Sequence, residues 1–370
     1  MTTELTAGSK LHDLIALAQE PSSERRRELM RGVTDLFFNA DAAHGAGEMA
    51  LFDDVLSQLP GDMEAAVRVE LAQRMAQAES APRGLIHRLA RDEAIEVAAP
   101  VLQGSAALTD DDLLAVAHLR GQQHLRAISQ RATVSTVVSE AIVERGDDQT
   151  LGVLLRNQGA ALSRQTQEIA VDRATANPEL HEAVVGRRSL SPDLLNEMYF
   201  VVEAKLRGEI LDRNAGIDPA ELEAALASGR KRVAAADGAL PDDYAVAEAE
   251  IRALHKRGGL TPPVLAGFLR NRATSKFLIS LCELADIDFH TARRILERRE
   301  IDALAIVCRA ADFDRSLFLT FAVLILDRES NAMGRAREYG ELYEGLTRDV
   351  AQRTIRFWRL RRTTGDVKAA

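Results

Sequence analysis

Residues 124–163 read HLRAISQRATVSTVVSEAIVERGDDQTLGVLLRNQGAALS. One short pattern occurs in them twice, opening apolar and closing on a long polar residue: Ile128-Ser129-Gln130-Arg131 and Leu154-Leu155-Arg156-Asn157. Working outward, the pattern returns as Val184-Val185-Gly186-Arg187 on one side. On the other it returns as Leu71-Ala72-Gln73-Arg74, with a weaker copy at Pro100-Val101-Leu102-Gln103. The closing residues Arg74, Gln103, Arg131, Asn157 and Arg187 stand 29, 28, 26 and 30 residues apart. A few residues after each comes a hydroxyl residue that opens a helix-like run: Ser80, Thr109, Ser135, Ser163 and Ser191, spaced 29, 26, 28 and 28. A fixed period of this length predicts stacked helical hairpins, an α-solenoid. About 28 residues leave room for two helices of roughly ten residues each. Such a hairpin cannot bury its apolar stripe alone, so its neighbours must supply the core.

The turn chemistry agrees. Thr109 is followed by Asp110, Asp111 and Asp112, and carboxylates in a first turn complement the free N–H groups and the positive end of the helix dipole. Ser191-Pro192-Asp193 is an N-cap, a proline at the first helical position and an acid. The second helices are expected to bury Leu85, Ile86 and Leu89; Leu113, Leu114 and Val116; Val137, Val138, Ala141 and Ile142; and Ile169 and Val171.

Composition fits an all-α reading. Of 370 residues 46% are hydrophobic and only 4% aromatic, which suits helices packed through Ala, Leu and Val. The net charge of −9 makes the surface as a whole poorly suited to nucleic acid, which needs positive faces. The two cysteines, Cys282 and Cys308, have no C-x-x-C spacing, so neither a disulfide framework nor a zinc site is expected. The start of the chain lacks a charged segment followed by an apolar run, so no signal peptide is read there. The longest strongly apolar run, LFLTFAVLIL (317–326), is half of what a bilayer span needs, about 20 residues. A cytoplasmic protein is expected, with peripheral contact to the inner membrane through its tail as the variant.

Four segments follow from the punctuation of the chain. Residues 1–60 form an N-terminal helical cap, with a helix after Ser9 that Pro21 ends and a break at Pro60-Gly61. Residues 61–233 hold the repeat array. The small, flexible stretch from Ala234 to Pro241 reads as a linker to a less regular helical block, residues 242–345. Residues 346–370 form a basic amphipathic tail.

Three pieces, LARDEAIEVAAPVL (89–102), TDDDLLAVA (109–117) with HLRAISQR (124–131), and LLRNQGAALS (154–163), carry a resemblance. FLISLCELADIDFHTARRILE (277–297) and IDALAIVCRAADF (301–313) add to it. Together they resemble a bacterial, mainly alphaproteobacterial, domain-of-unknown-function family built of HEAT-like helical repeats, over roughly residues 60–315. The resemblance implies a solenoid of short HEAT-like hairpins and a bacterial cytoplasmic setting, and it implies no activity and no catalytic residues.

Two constellations stand out. Arg74, Arg131, Asn157 and Arg187 recur at one phase: they either project as a ladder that grips an acidic partner, or bond the carbonyls at the end of their own helix. Between Arg348 and Arg362 lie six arginines, and the chain's one tryptophan, Trp358, sits there beside Phe357. Arg353, Arg356 and Arg359 fall opposite Phe357 and Trp358 on a helix. That helix suits an anionic membrane surface or acidic partner, nucleic acid, or docking of its apolar face on the preceding helices. Neither a P-loop, a nucleophile elbow, a dinucleotide fingerprint nor a histidine pair with metal spacing is present, so no cofactor or metal is expected. The function expected is a non-enzymatic scaffold or adaptor that binds a protein partner over an extended repeat surface. The alternatives are a nucleic-acid protein of HEAT-like type, or an enzyme whose site joins His290, Cys282 and Cys308.

Overall fold

The computed structural model describes residues 23–38, 45–58, 65–78, 81–218, 220–222, 224–225, 240–326 and 332–358. The helix expected after Ser9, most of the expected linker, Ser80 and Arg359 lie outside them. Every regular element among the described residues is a helix, so the protein is all-α. It divides into two compact units, Met1–Ser189 and Leu190–Ala370.

Unit 1 holds α1 (Ser23–Phe38), α2 (Ala46–Gln58), α3 (Ala65–Ala76), α4 (Arg83–Ala90), α5 (Ile95–Gly104) and α6 (Asp110–Leu119). These are followed by α7 (Gln122–Ser129), α8 (Thr136–Arg145), α9 (Asp148–Arg156), α10 (Arg164–Ala176) and α11 (His181–Val185). Odd-numbered helices pack on one another in an unbroken row from α1 to α11; even-numbered ones pair α2 with α4 and α6 with α8 with α10. The recurring pattern closes each odd helix from α3 on, and its apolar residues fill the space between the rows. Leu71, Val101, Leu102, Ile128, Leu154, Leu155 and Val184 are all fully buried.

The even helices start where the hydroxyl residues said they would. Thr109 and Asp112 form a reciprocal capping box, the Asp112 carboxylate accepting the Thr109 N–H at 2.9 Å. Ser135 and Ser163 accept the N–H groups of Val138 and Thr166. Two expected core residues face water instead: Val137 is 55% exposed and Ile169 37%. Each precedes a fully buried residue, Val138 and Ala170, and neighbours 100° apart on a helix cannot both face one narrow core. Between hairpins, one parallel bridge joins Val134 to Ala160, with the Val134 N–H donating to the Gly159 carbonyl and the Ala161 N–H to that of Val134.

Unit 2 holds α12 (Pro192–Met198), α13 (Ala204–Ala215), α14 (Tyr244–Lys256), α15 (Pro262–Arg270), α16 (Thr274–Ala285) and α17 (Phe289–Glu297). Then come α18 (Ile301–Ala310), α19 (Arg315–Ile325), α20 (Ala332–Gly345) and α21 (Arg348–Trp358). α18 is its centre: it packs against α16, α17, α19, α20 and α21, and Ala303, Leu304, Ile306, Val307 and Cys308 are essentially unexposed. The division between the units falls before α12, ahead of the expected linker, because α12 and α13 pack against α21. Helices here end differently from those of unit 1. Gly258, Arg272, Arg299 and Asp312 take a left-handed conformation, and the N–H that follows each reaches back five residues, as from Ala273 to Phe268 and from Phe313 to Cys308. These are Schellman closures, each satisfied within its own helix.

Candidate functional site

The recurring polar position reaches across to the preceding hairpin. Arg131 donates to the Leu102 and Ser105 carbonyls at 2.6 and 2.8 Å. The Asn157 amide donates to the Ser129 and Arg131 carbonyls at 2.8 and 2.7 Å. Arg187 donates to the carbonyls of Leu155, Asn157 and Ala160, and to the Ser189 hydroxyl. The last carbonyls of a helix have no intrahelical partner and carry its negative end, so a cation or amide donor from the next hairpin satisfies them. The caps therefore run between successive hairpins, not within the helix that carries them. Arg187 is only 1% exposed, and burial lowers the pKa of Arg131 and Arg187. These three side chains hold backbone carbonyls of the preceding hairpin, Arg187 buried and Arg131 and Asn157 half-buried. The first two copies differ: Arg74 pairs with Asp35 of α1 at 2.5 Å, and Gln103 donates to Gln130.

A second series, missed in the sequence, does the same for the even row. Arg120 donates to the Arg91 carbonyl, Arg145 to that of Ala117, and Arg173 to that of Val143. Each closes or follows an even helix, α6, α8 and α10 in turn. The signal was available: His118-Leu119-Arg120, Val143-Glu144-Arg145 and Val171-Asp172-Arg173 repeat an arginine 25 and 28 residues apart.

The tail helix is built into unit 2. Ala351, Thr354, Ile355, Phe357 and Trp358 are buried, and α21 packs on α12, α13 and α18. The Trp358 ring lies 5.4 Å from Tyr199 and 4.9 Å from Phe200. Arg353 repeats the capping device, donating to the Ala215 carbonyl at 2.6 Å at the end of α13 while pairing with Asp349 at 3.0 Å. Of the basic residues singled out there, Arg356 is exposed. The aromatic face read as a contact surface is thus core, and docking on the preceding helices is what the structure shows for Phe357 and Trp358.

Unit 2 also holds a cavity of about 410 Å³ between α13, α18, α20 and α21. Its walls are apolar, among them Leu211, Ile306, Leu342 and Val350. Its polar end is a network around Arg207. That guanidinium donates to Asp302 at 2.5 Å and to the Val202 carbonyl at 3.1 Å, stands 3.7 Å from Glu300, and lies over the Tyr199 ring at 5.4 Å. The Tyr199 hydroxyl donates to Asp302 at 3.5 Å; burial, reinforced by the Asp302 charge, holds its pKa well above the ordinary value. Burial likewise raises Glu300, whose Oε2 has no hydrogen-bond partner among the described residues. Both cysteines are buried and neither forms a disulfide, and burial pushes the Cys308 thiol upward. Among the described residues no three His, Cys, Asp or Glu side chains gather as metal ligands, and no helix is long and apolar enough to cross a membrane.

No curated protein matches the chain. A family model described as "Uncharacterised protein conserved in bacteria (DUF2336)" matches residues 97–356. That segment begins later than the expected resemblance and runs further, taking in the Arg131, Asn157 and Arg187 caps, the cavity and α21 as far as Arg356. On that match, over more than half its length, the chain belongs to this bacterial family.

Proposed function

We propose that the protein is a non-catalytic scaffold: a solenoid of short HEAT-like hairpins in unit 1 that binds another protein, in bacterial regulation or envelope organisation. The observation that carries this reading is the pair of capping series. From α5 onward they tie each hairpin to the one before it by its backbone, which holds a row of helices in fixed pitch and leaves the outer faces for recognition. The side chains offered there are not the capping arginines. Leu119 of α6, Val137 of α8 and Ile169 of α10 are 73%, 55% and 37% exposed, one large apolar side chain on each successive even helix. Apolar anchors spread over several repeats suit a protein surface better than a small substrate or a phosphate backbone.

The test is a triple substitution, Leu119→Ser, Val137→Thr and Ile169→Gln, in tagged protein recovered from the native bacterium. All three side chains are exposed, so thermal unfolding should barely move. A partner held by the parent and lost by the triple variant is the expected result. A partner held equally by both sinks this face as the binding surface, and turnover of a substrate abolished by one polar substitution sinks the scaffold reading itself.

A further inference from the structure

We infer that the unit 2 cavity is a binding site for a small organic cation with an apolar body, of the alkylammonium class. The volume of about 410 Å³ is that of a ligand pocket, and its walls supply apolar contact on several sides. The sign of the ligand follows from the balance of charge in the lining. Arg207 is the one cation among the described lining residues; it donates to Asp302 and to the Val202 carbonyl, and its third nitrogen stands 3.7 Å from Glu300. Two carboxylates, Asp302 and Glu300, already stand against its charge, so it brings no net positive charge to a carboxylate or phosphate. The lining carboxylates outnumber it. Asp302 lines the cavity with its side chain 22% exposed, and Asp212 stands exposed in the lining with no hydrogen bond or ion pair to any described residue. The unmatched charge is therefore negative, at the mouth and polar end of an apolar chamber. A protonated amine on a hydrocarbon body satisfies both parts, and a fatty acid of the same length satisfies only one. Space for it is visible at Gly208, where an added Cβ would meet no atom within 4 Å.

The chain carries its own reporter. Trp358 is the sole tryptophan, and its ring lies 5.4 Å from that of Tyr199, which lines the cavity. The experiment is titration of the full chain with octylammonium, octanoate and choline, below aggregating concentrations, followed by tryptophan emission. Octylammonium should give a saturable change, with octanoate and choline giving none. Gly208→Phe, which fills the chamber, should abolish the change. Asp212→Asn, an exposed substitution that leaves folding intact, should weaken octylammonium about threefold at low salt. Equal responses to octylammonium and octanoate, a response unaltered in both variants, or no saturable response in the parent would each overturn the assignment. The scaffold reading rests on unit 1 and stands or falls separately.

Discussion

Arg131, Asn157 and Arg187 share one task with two chemistries. What the register demands is two or more donors facing the carbonyls of the previous turn; a guanidinium or a primary amide can both supply them. Removing the donors should therefore cost more than removing a surface charge. Arg187→Leu leaves carbonyls buried without partners and should lower unfolding free energy by about 2–4 kcal/mol in urea titration. Arg187→Lys should recover only part of it, since one ammonium cannot reproduce the fork. Arg74→Ala, which breaks a partly exposed pair with Asp35, should cost under about 1 kcal/mol. Glu300 supplies a test in pH. Its carboxyl is raised by burial, so the stability it contributes is complete below the ordinary Glu pKa, about 4.3, and is lost as pH rises through the raised folded value. Glu300→Gln should accordingly be more stable than the parent at neutral pH, with that advantage shrinking on acidification through this window in thermal melts. The period of the polar position was legible in the sequence. Its direction was not, because the acceptors are backbone carbonyls and leave no mark in side-chain identity.

At the scale of elements, the two units finish their helices by different means. In unit 1 the arginine or amide of the next hairpin closes the helix; in unit 2 a left-handed residue and a backward N–H close α14, α15, α17 and α18, while Arg353 caps α13. Arg272 is such a residue, with φ 56°, and its side chain is exposed. An L-residue there costs about 1–2 kcal/mol, partly offset by the extra chain entropy glycine loses on folding. Arg272→Gly should raise stability by about 0.5 kcal/mol, read as a shift in urea midpoint without a change in slope. The opposite holds at Gly159 in the bridged loop, where a Cβ would sit 2.0 Å from the Ala132 carbonyl oxygen. Gly159→Ala must push two loops apart, so the Val134 and Ala161 amide protons should lose exchange protection; retained protection would show that the loop yields without breaking the bridge. Helix starts were readable because Thr109, Ser135 and Ser163 carry the cap in their own side chains. Helix ends were harder, since the closing group comes either from the next hairpin or from a non-glycine residue in a conformation that its identity does not announce. Val137 and Ile169 mark the same limit: apolar type alone does not choose between adjacent faces.

Across the whole molecule, the unit boundary was the least legible feature. The small-residue composition of 234–241 marks a linker there and nothing comparable marks Ser189, yet α12 and α13 join unit 2 because a helix more than 130 residues later packs against them. That long-range closure makes α21 a structural element, with a consequence for any attempt to treat it as a detachable tail. Ile355, Phe357 and Trp358 are 0%, 5% and 4% exposed. Burying such side chains contributes about 1.5–3 kcal/mol each. Together they approach the whole stability of an ordinary domain, about 5–15 kcal/mol. Arg353 adds the cap of α13. A chain ending at Gly345 should therefore lose the fold of unit 2 and not merely a contact surface, while the hairpins of unit 1, closed by their own neighbours, persist. Hydrogen exchange on that truncated chain would show fast exchange through α12, α13 and α18 and continued protection in α5, α7 and α9. Full protection of α18 would mean that α21 rides on unit 2 without supporting it, and would return Phe357 and Trp358 to the surface available for a partner.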